Sequence, residues 1–284
     1  MEHPITKQSF NGSLPAAINR IGETGVPEVL YSYWPFESVK NVLTGKELVF
    51  VYPGLWNDPF DKMYLATDYT ALGFKQPKIY CMRFIAGVEN EDTEWKMVAD
   101  NEEKTIRCGI NGKPLCEMLQ AFADKNDLQV YFGKVNYELT REEIQSLHLP
   151  KGKHFDHFFK DFTLEKYLQI LTLKPQTQSY EKEWRIFMVP KKEGKYFKDL
   201  LKIPIPGDSY SLLFSNFTIQ PFAVKKSNLP NAEKTNAGFY EFVKGSIAET
   251  LGSLYPNAAI DHYEPVKKYK PVKRISLRAG NREK

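Results

Sequence analysis

A chain of 284 residues with 42% hydrophobic and 14% aromatic content has ample apolar side chain for a packed core, in one large domain or two small ones, which excludes a disordered or fibrous polypeptide. No apolar run approaches the roughly 18 residues of a membrane helix, and Met1-Glu-His-Pro opens no charged-then-apolar leader, so no membrane role is expected and the cytoplasm is the expected compartment. The net charge of +4 is uneven: between Val266 and Lys284 stand eight Lys or Arg and one acid, a local +7 that leaves the other 265 residues at −3.

Residues 1 to 27 are polar, with several Gly and Pro, and read as an irregular arm or one short helix. Val29 to Trp34 alternates as a strand. Pro35 then opens a short amphipathic helix through Phe36, Val39, Val42 and Leu43, which Gly45 stops, and Glu47 to Tyr52 is a strand. In the turn Pro53-Gly-Leu-Trp-Asn-Asp-Pro-Phe60, Asn57 or Asp58 can cap the next helix, with Pro59 at its first position, where no backbone donor is needed. Pro77 to Ile85 is a strand that sends Ile79, Cys81, Arg83 and Ile85 to one face and Tyr80, Met82 and Phe84 to the other. Arg83 in so apolar a run requires an anion or a carboxylate partner.

A short helix over 93–99, holding Trp95, precedes the strand Lys104 to Ile110, in which Arg107 again interrupts apolar neighbours. Lys113 to Asp124 has helical spacing, Leu128 to Leu139 reads as a long or bulged strand, and Thr140-Arg-Glu-Glu143 is a capping box. A Pro/Gly/Lys hinge at 150–153 leads into a helical pattern from Phe155 to Leu173. Later come short strands at Lys202 to Ile205 and Thr218 to Val224, a helix from Ala237 to Leu251 capped by Asn236, and a last strand from Ala258 to Tyr263. The order is not a regular βαβ alternation. It predicts an α+β fold with a mixed, mainly antiparallel sheet packed with short helices, divided as an arm 1–27, a single domain 28–263 and a basic tail 264–284.

The stretch from Lys174 to Val189 forces polar chemistry onto a strand. From Glu181, period two puts Lys182, Trp184, Ile186 and Met188 on one face and Glu181, Glu183, Arg185 and Phe187 on the other. Two carboxylates and a guanidinium then point one way, either as a solvated charge ladder or into a cleft where a carboxylate can take a proton or stabilise positive charge. The chain has no dinucleotide, phosphate-loop, nucleophile-elbow or His-Glu-x-x-His motif. His154-Phe-Asp-His157 lacks a third ligand, and the odd set Cys81, Cys108 and Cys116 reads as structural thiols, so no metal site is expected.

The remaining polar and aromatic candidates are Tyr31, Tyr33, Asn57, Asp58, Arg83, Trp95, Arg107, Lys174, Glu181, Glu183 and Arg185. In Tyr31-Ser-Tyr33, Asn57-Asp-Pro-Phe60, the strand Ile79 to Phe84 with Trp95, and Lys174 followed by Tyr180-Glu-Lys-Glu-Trp-Arg185, the chain resembles the bacterial family known as domain of unknown function 2971, over roughly residues 28 to 190. It departs at Ser32, where members often have a basic residue, and at Arg83, where they often have serine. A second analogy, at motif level, is to ADP-ribosyltransferases of the Glu-x-Glu type, whose cleft holds NAD between short strands. That analogy implies Glu183 as the catalytic carboxylate, Glu181 as the group that activates the acceptor, and Tyr31 or Tyr33 stacked on nicotinamide. The expectation is an NAD- or nucleotide-binding transferase that holds a small anionic ligand where Glu181, Glu183 and Arg185 meet Arg83, Arg107 and Tyr31/Tyr33. The alternative is a non-catalytic module that binds nucleic acid or an acidic partner through Lys267 to Lys284, its Glu/Arg array serving as a buried network.

Overall fold

The computed structural model describes residues 19–21, 25–86, 105–146, 162–192, 198–219, 245–256 and 259–262. Trp95 and its helix, His154 and His157, the cap at Asn236 and the basic tail lie outside the described residues. The elements are β1 (Asn19–Ile21), β2 (Val29–Pro35), α1 (Phe36–Gly45), β3 (Glu47–Val51), α2 (Pro59–Ala66), β4 (Tyr80–Ile85), β5 (Thr105–Asn111), α3 (Gly112–Lys125), β6 (Leu128–Lys134), α4 (Arg141–Ser146), α5 (Leu164–Ile170), β7 (Glu183–Pro190), β8 (Leu200–Pro204), α6 (Gly207–Leu213), β9 (Phe214–Ile219), α7 (245–254) and β10 (Ala259–His262). The described strands form one sheet in the order β1-β6-β7-β4-β2-β5-β9-β10, with β3 pairing β4 and β8 pairing β3. β1 with β6 and β9 with β10 are parallel, and the remaining pairs are antiparallel, so the class is α+β with a mixed, mostly antiparallel sheet.

Alternation along the strands feeds two cores, one on each face of this sheet. Leu30, Tyr80, Phe84, Ile106, Trp184 and Ile186 pack with residues of α1 and α3 on one side. Cys81, Tyr131 and Phe187 pack with Phe60 and Tyr64 of α2 and Tyr167 of α5 on the other. All three cysteines are buried free thiols. The box at Thr140 forms reciprocally: the Thr140 N–H donates to Glu143 Oε2 at 2.8 Å and the Glu143 N–H to Thr140 Oγ1 at 3.2 Å.

The sheet forks at β4. One edge of β4 runs in full register with β7, from Tyr80 opposite Met188 to Ile85 opposite Glu183. The other edge is shared by two strands that diverge: β2 reaches it at Ile85 through Tyr31, and β3 at Cys81 through Val51. Neither ladder reaches Arg83, which stands between them.

Four local expectations are corrected. Residues 19–21, placed in an irregular or helical arm, form a strand against β6. The residue with left-handed backbone after α1 is Lys46, not Gly45. The strand expected from Glu181 starts at Glu183, because residues 176–181 wind into a 3-10 turn and Lys182 takes φ 44, which breaks the extended run. And the polar face of that strand is not a solvated ladder, since β7 is buried from Glu183 to Val189 on both faces.

Candidate functional site

The site is built from the turn before α2, the segment after α5 and the start of β7. Asp58 is the N-cap of α2. Its Oδ1 accepts from the N–H groups of Phe60 at 2.8 Å and Asp61 at 3.4 Å, and Pro59 occupies the position that needs no donor. Asn57 is exposed and does not cap. After α5 the chain lies against the segment that leaves β6: the Asn136 N–H donates to the Thr172 carbonyl at 2.7 Å and the Lys174 N–H to the Asn136 carbonyl at 3.0 Å. Gly133, opposite Arg185 in β6, leaves room for β1, because a Cβ there would meet the Ile21 Cβ at 2.8 Å.

Two cations organise what results. Lys174, buried, places its Nζ 3.0 Å from Asp58 Oδ2, 2.6 Å from Glu181 Oε2 and 2.7 Å from Glu183 Oε2. Arg185 is 1% exposed. It grips Asp61 with two nitrogens at 2.5 and 3.2 Å, donates from Nε to Glu183 Oε1 at 2.8 Å, and reaches the Leu171 carbonyl. Glu183 therefore has one oxygen on each cation, and its backbone N–H donates to the Tyr137 hydroxyl at 3.0 Å. The left-handed turn at Lys182 lets Glu181 and Glu183 converge on Lys174 although they are not in one extended strand.

Burial alone would neutralise these acids, and the cations decide which stay charged. For Glu183, burial pushes the carboxyl up, but Arg185, Lys174 and Arg83 overcome it and hold it down to about 2. Burial also opposes ionisation of Asp58, and Lys174 with the two capping amides turns the balance, so that it too lies below the usual range. At Asp61 and Glu181 burial prevails, against Arg185 and Lys174 respectively, and both lie above the usual range. Lys174 is held more firmly protonated: burial works against it, and the charge of Glu183 first and Glu181 next outweigh that.

Above this network the fork opens as a cleft of about 500 Å³. Its floor includes Asp58, Lys174, Glu181 and Glu183; Tyr31, Tyr33 and Trp56 are aromatic residues of the lining, Trp34 borders it while packing against the core on the α1 and α3 side, and Arg83 with the strand edge around it completes the lining. Of the residues singled out from the sequence, Tyr31, Tyr33, Asp58, Arg83, Lys174, Glu181 and Glu183 thus meet at one cavity. Arg185 lies behind its floor. Arg107 is buried in β5, with its guanidinium 5.2 Å from the Tyr31 ring centre and Nη2 donating to Thr218 Oγ1 at 3.1 Å. Asn57 is outside. Sequence reasoning missed Asp61, Trp34, Trp56 and Tyr137. Asp61 was visible as the second acid of Asp58-x-x-Asp61 on the first turn of a capped helix, whereas nothing local signals Tyr137.

Neither family models, curated proteins nor solved structures give a match to this chain. Among the described residues no helix is long and apolar enough to cross a membrane, and no group of three or more His, Cys, Asp or Glu could hold a metal ion.

Proposed function

We propose that the cleft binds a nucleotide of the NAD class and that the protein transfers or releases its ribosyl group, in the manner of the Glu-x-Glu ADP-ribosyltransferases. The observation that carries the reading is a carboxylate, Glu183, buried to 4% exposure yet fixed in its ionised form at the floor of an aromatic cleft. When the bond between nicotinamide and ribose breaks, its electron pair leaves with nicotinamide and positive charge grows on the ribose. A preorganised, desolvated carboxylate stabilises that charge without having to reorient.

The same residues suit the ground state, since a cationic ring is attracted both to the acidic floor and to the faces of tyrosine and tryptophan. Glu181 complements Glu183. It is partly buried, one of its oxygens is on Lys174, and its carboxyl lies above the usual range, which suits a group that accepts a proton from the incoming acceptor and passes it on. The motifs on which the resemblance to domain of unknown function 2971 is drawn fall largely on this cleft, in Tyr31, Tyr33, Asp58, Lys174, Glu181 and Glu183.

The test is incubation with NAD and measurement of nicotinamide release. Glu183→Gln is expected to lower turnover by about 10²-fold or more, and Glu181→Gln to impair transfer to an acceptor more than hydrolysis. Full activity in a folded Glu183→Gln protein would move the site elsewhere. One feature favours the non-catalytic reading of the array: Arg185 is enclosed and its donors are committed within the fold, as a register-fixing network requires.

A further inference from the structure

The cleft contains an exposed cation that makes no ion pair among the described residues, although its charge is felt by Glu183. Arg83 is exposed on β4, directly opposite Arg185 of β7 in the sheet register. Like charges facing each other across an antiparallel pair oppose folding. Arg185 is compensated by Asp61 and Glu183, but among the described residues Arg83 has no carboxylate within 4 Å. Its guanidinium instead lies over the Trp56 ring, 4.4 Å from the centre, on a ring that Arg185 also approaches at 5.4 Å. Such stacking fixes the plane of the guanidinium and leaves its N–H edge available for hydrogen bonds.

The backbone adds a second feature. The Ala86 N–H donates to the Lys182 carbonyl on the β7 side, so Arg83, an odd number of residues away, turns its own N–H and C=O toward the fork. There the Arg83 carbonyl receives a long 3.4 Å bond from Ser32 Oγ, and no ladder partner stands opposite its N–H. A planar cation held by an indole and a main-chain donor in the same residue together match a phosphoryl group, whose oxygens take bidentate bonds from guanidinium and a further bond from an amide.

We propose that Arg83, braced by Trp56 at the open edge of β4, is a phosphoryl-anion subsite of the cleft, suited to the diphosphate of a nucleotide. The inference rests on the reading above, in that it takes the cleft to bind a ligand, and it can fail separately from it. Inorganic pyrophosphate is titrated at low ionic strength into the full-length protein and into Arg83→Gln, Arg83→Lys and the distant control Lys113→Gln, with Trp fluorescence and calorimetry as readouts. Wild type and Lys113→Gln are expected to bind alike. Arg83→Gln should bind about tenfold or more weakly and lose the fluorescence change at Trp56, while Arg83→Lys recovers only part of the affinity, having the charge without the planar fork. Absence of saturable pyrophosphate binding to wild type, or binding to Arg83→Gln equal to wild type, overturns the subsite. Arg83-dependent pyrophosphate binding without any NAD turnover upholds the subsite and removes the transferase reading. NAD turnover indifferent to Arg83→Gln, in KM as well as kcat, does the reverse.

Discussion

Arg83 and Arg185 are the same residue type, on the same face of the sheet, paired across β4 and β7, yet one is enclosed and the other stands open. The difference comes from what each strand has on its far side. β7 is flanked by β6 along its whole length, and over it lie α2 and the segment that ends α5, which bring Asp61, the Leu171 carbonyl and Lys174 to within bonding distance of its polar residues. β4 has only the ends of β2 and β3, so nothing in the ladder covers Arg83. The setting of an arginine is thus fixed by the topology around it: full pairing turns it into part of the scaffold, and a split sheet leaves it exposed.

The sharpest way to break that comparison is to remove each guanidinium in turn. Arg185→Met takes from Asp61 its cation and leaves Glu183 with Lys174 alone, and a loss of about 3–5 kcal/mol is expected in urea denaturation. Combining it with Asp61→Leu should recover part of the loss, because the second change removes the buried acid that lost its partner. Arg83→Gln should leave the denaturation midpoint nearly where it was. Similar losses for the two single variants would show that the open arginine is structural as well.

Acid titration probes the enclosed side more gently. Glu183 is lowered from 4.5 in the unfolded chain to about 2 in the fold, so its contribution is present above pH 4.5 and is lost as pH falls toward 2. Asp58, also lowered, acts in the same direction. Asp61 and Glu181 are raised, so their contribution is present at low pH and is lost as pH rises through their folded values, which partly offsets the first two. Glu183 alone is worth on the order of 3 kcal/mol of pH-dependent stability. Denaturation midpoints measured between pH 2 and 7 should fall on acidification in wild type and fall distinctly less in Glu183→Gln. Parallel curves would mean that Glu183 is not held ionised by the two cations.

Much of this was legible in the chain because it is local. The alternation in Pro77 to Ile85 sent Arg83 to the face opposite Tyr80, Met82 and Phe84, and the capping box at Thr140 and Pro59 after Asp58 fixed two helix starts. What was not legible depends on contacts across the chain. The fork arises where β2 and β3 each reach one end of β4, and no spacing in the sequence encodes it. The left-handed backbone at Lys182 has no glycine or asparagine to announce it, so Glu181 reads as a strand residue although it belongs to the preceding turn. Asp61 looked like an ordinary acid in the first turn of a helix. Only the fold, which brings a residue 124 positions away against it, makes it the main counter-charge of Arg185.

The smallest of the expected effects tests how the two sides are joined. Asp58 divides its oxygens between them: Oδ1 takes the free amides at the start of α2, and Oδ2 lies 3.0 Å from Lys174 under the cleft. Asp58→Ala removes both, whereas Asp58→Asn keeps an oxygen for the amides and loses the charge that Lys174 faces. The cap is worth about 0.5–2 kcal/mol. The charged contact adds less than it would elsewhere in the fold, because Lys174 keeps Glu181 and Glu183, so a total near 2 kcal/mol is expected for Asp58→Ala and roughly half of that for Asp58→Asn. Asn57→Ala, one residue earlier and exposed, should change nothing measurable. If Asp58→Asn proves as damaging as Asp58→Ala, the ion pair rather than the cap carries the residue, and the floor of the cleft is tied to α2 by charge. If Asp58→Asn is silent, the cap does the joining, and Lys174 is held well enough by the two glutamates alone.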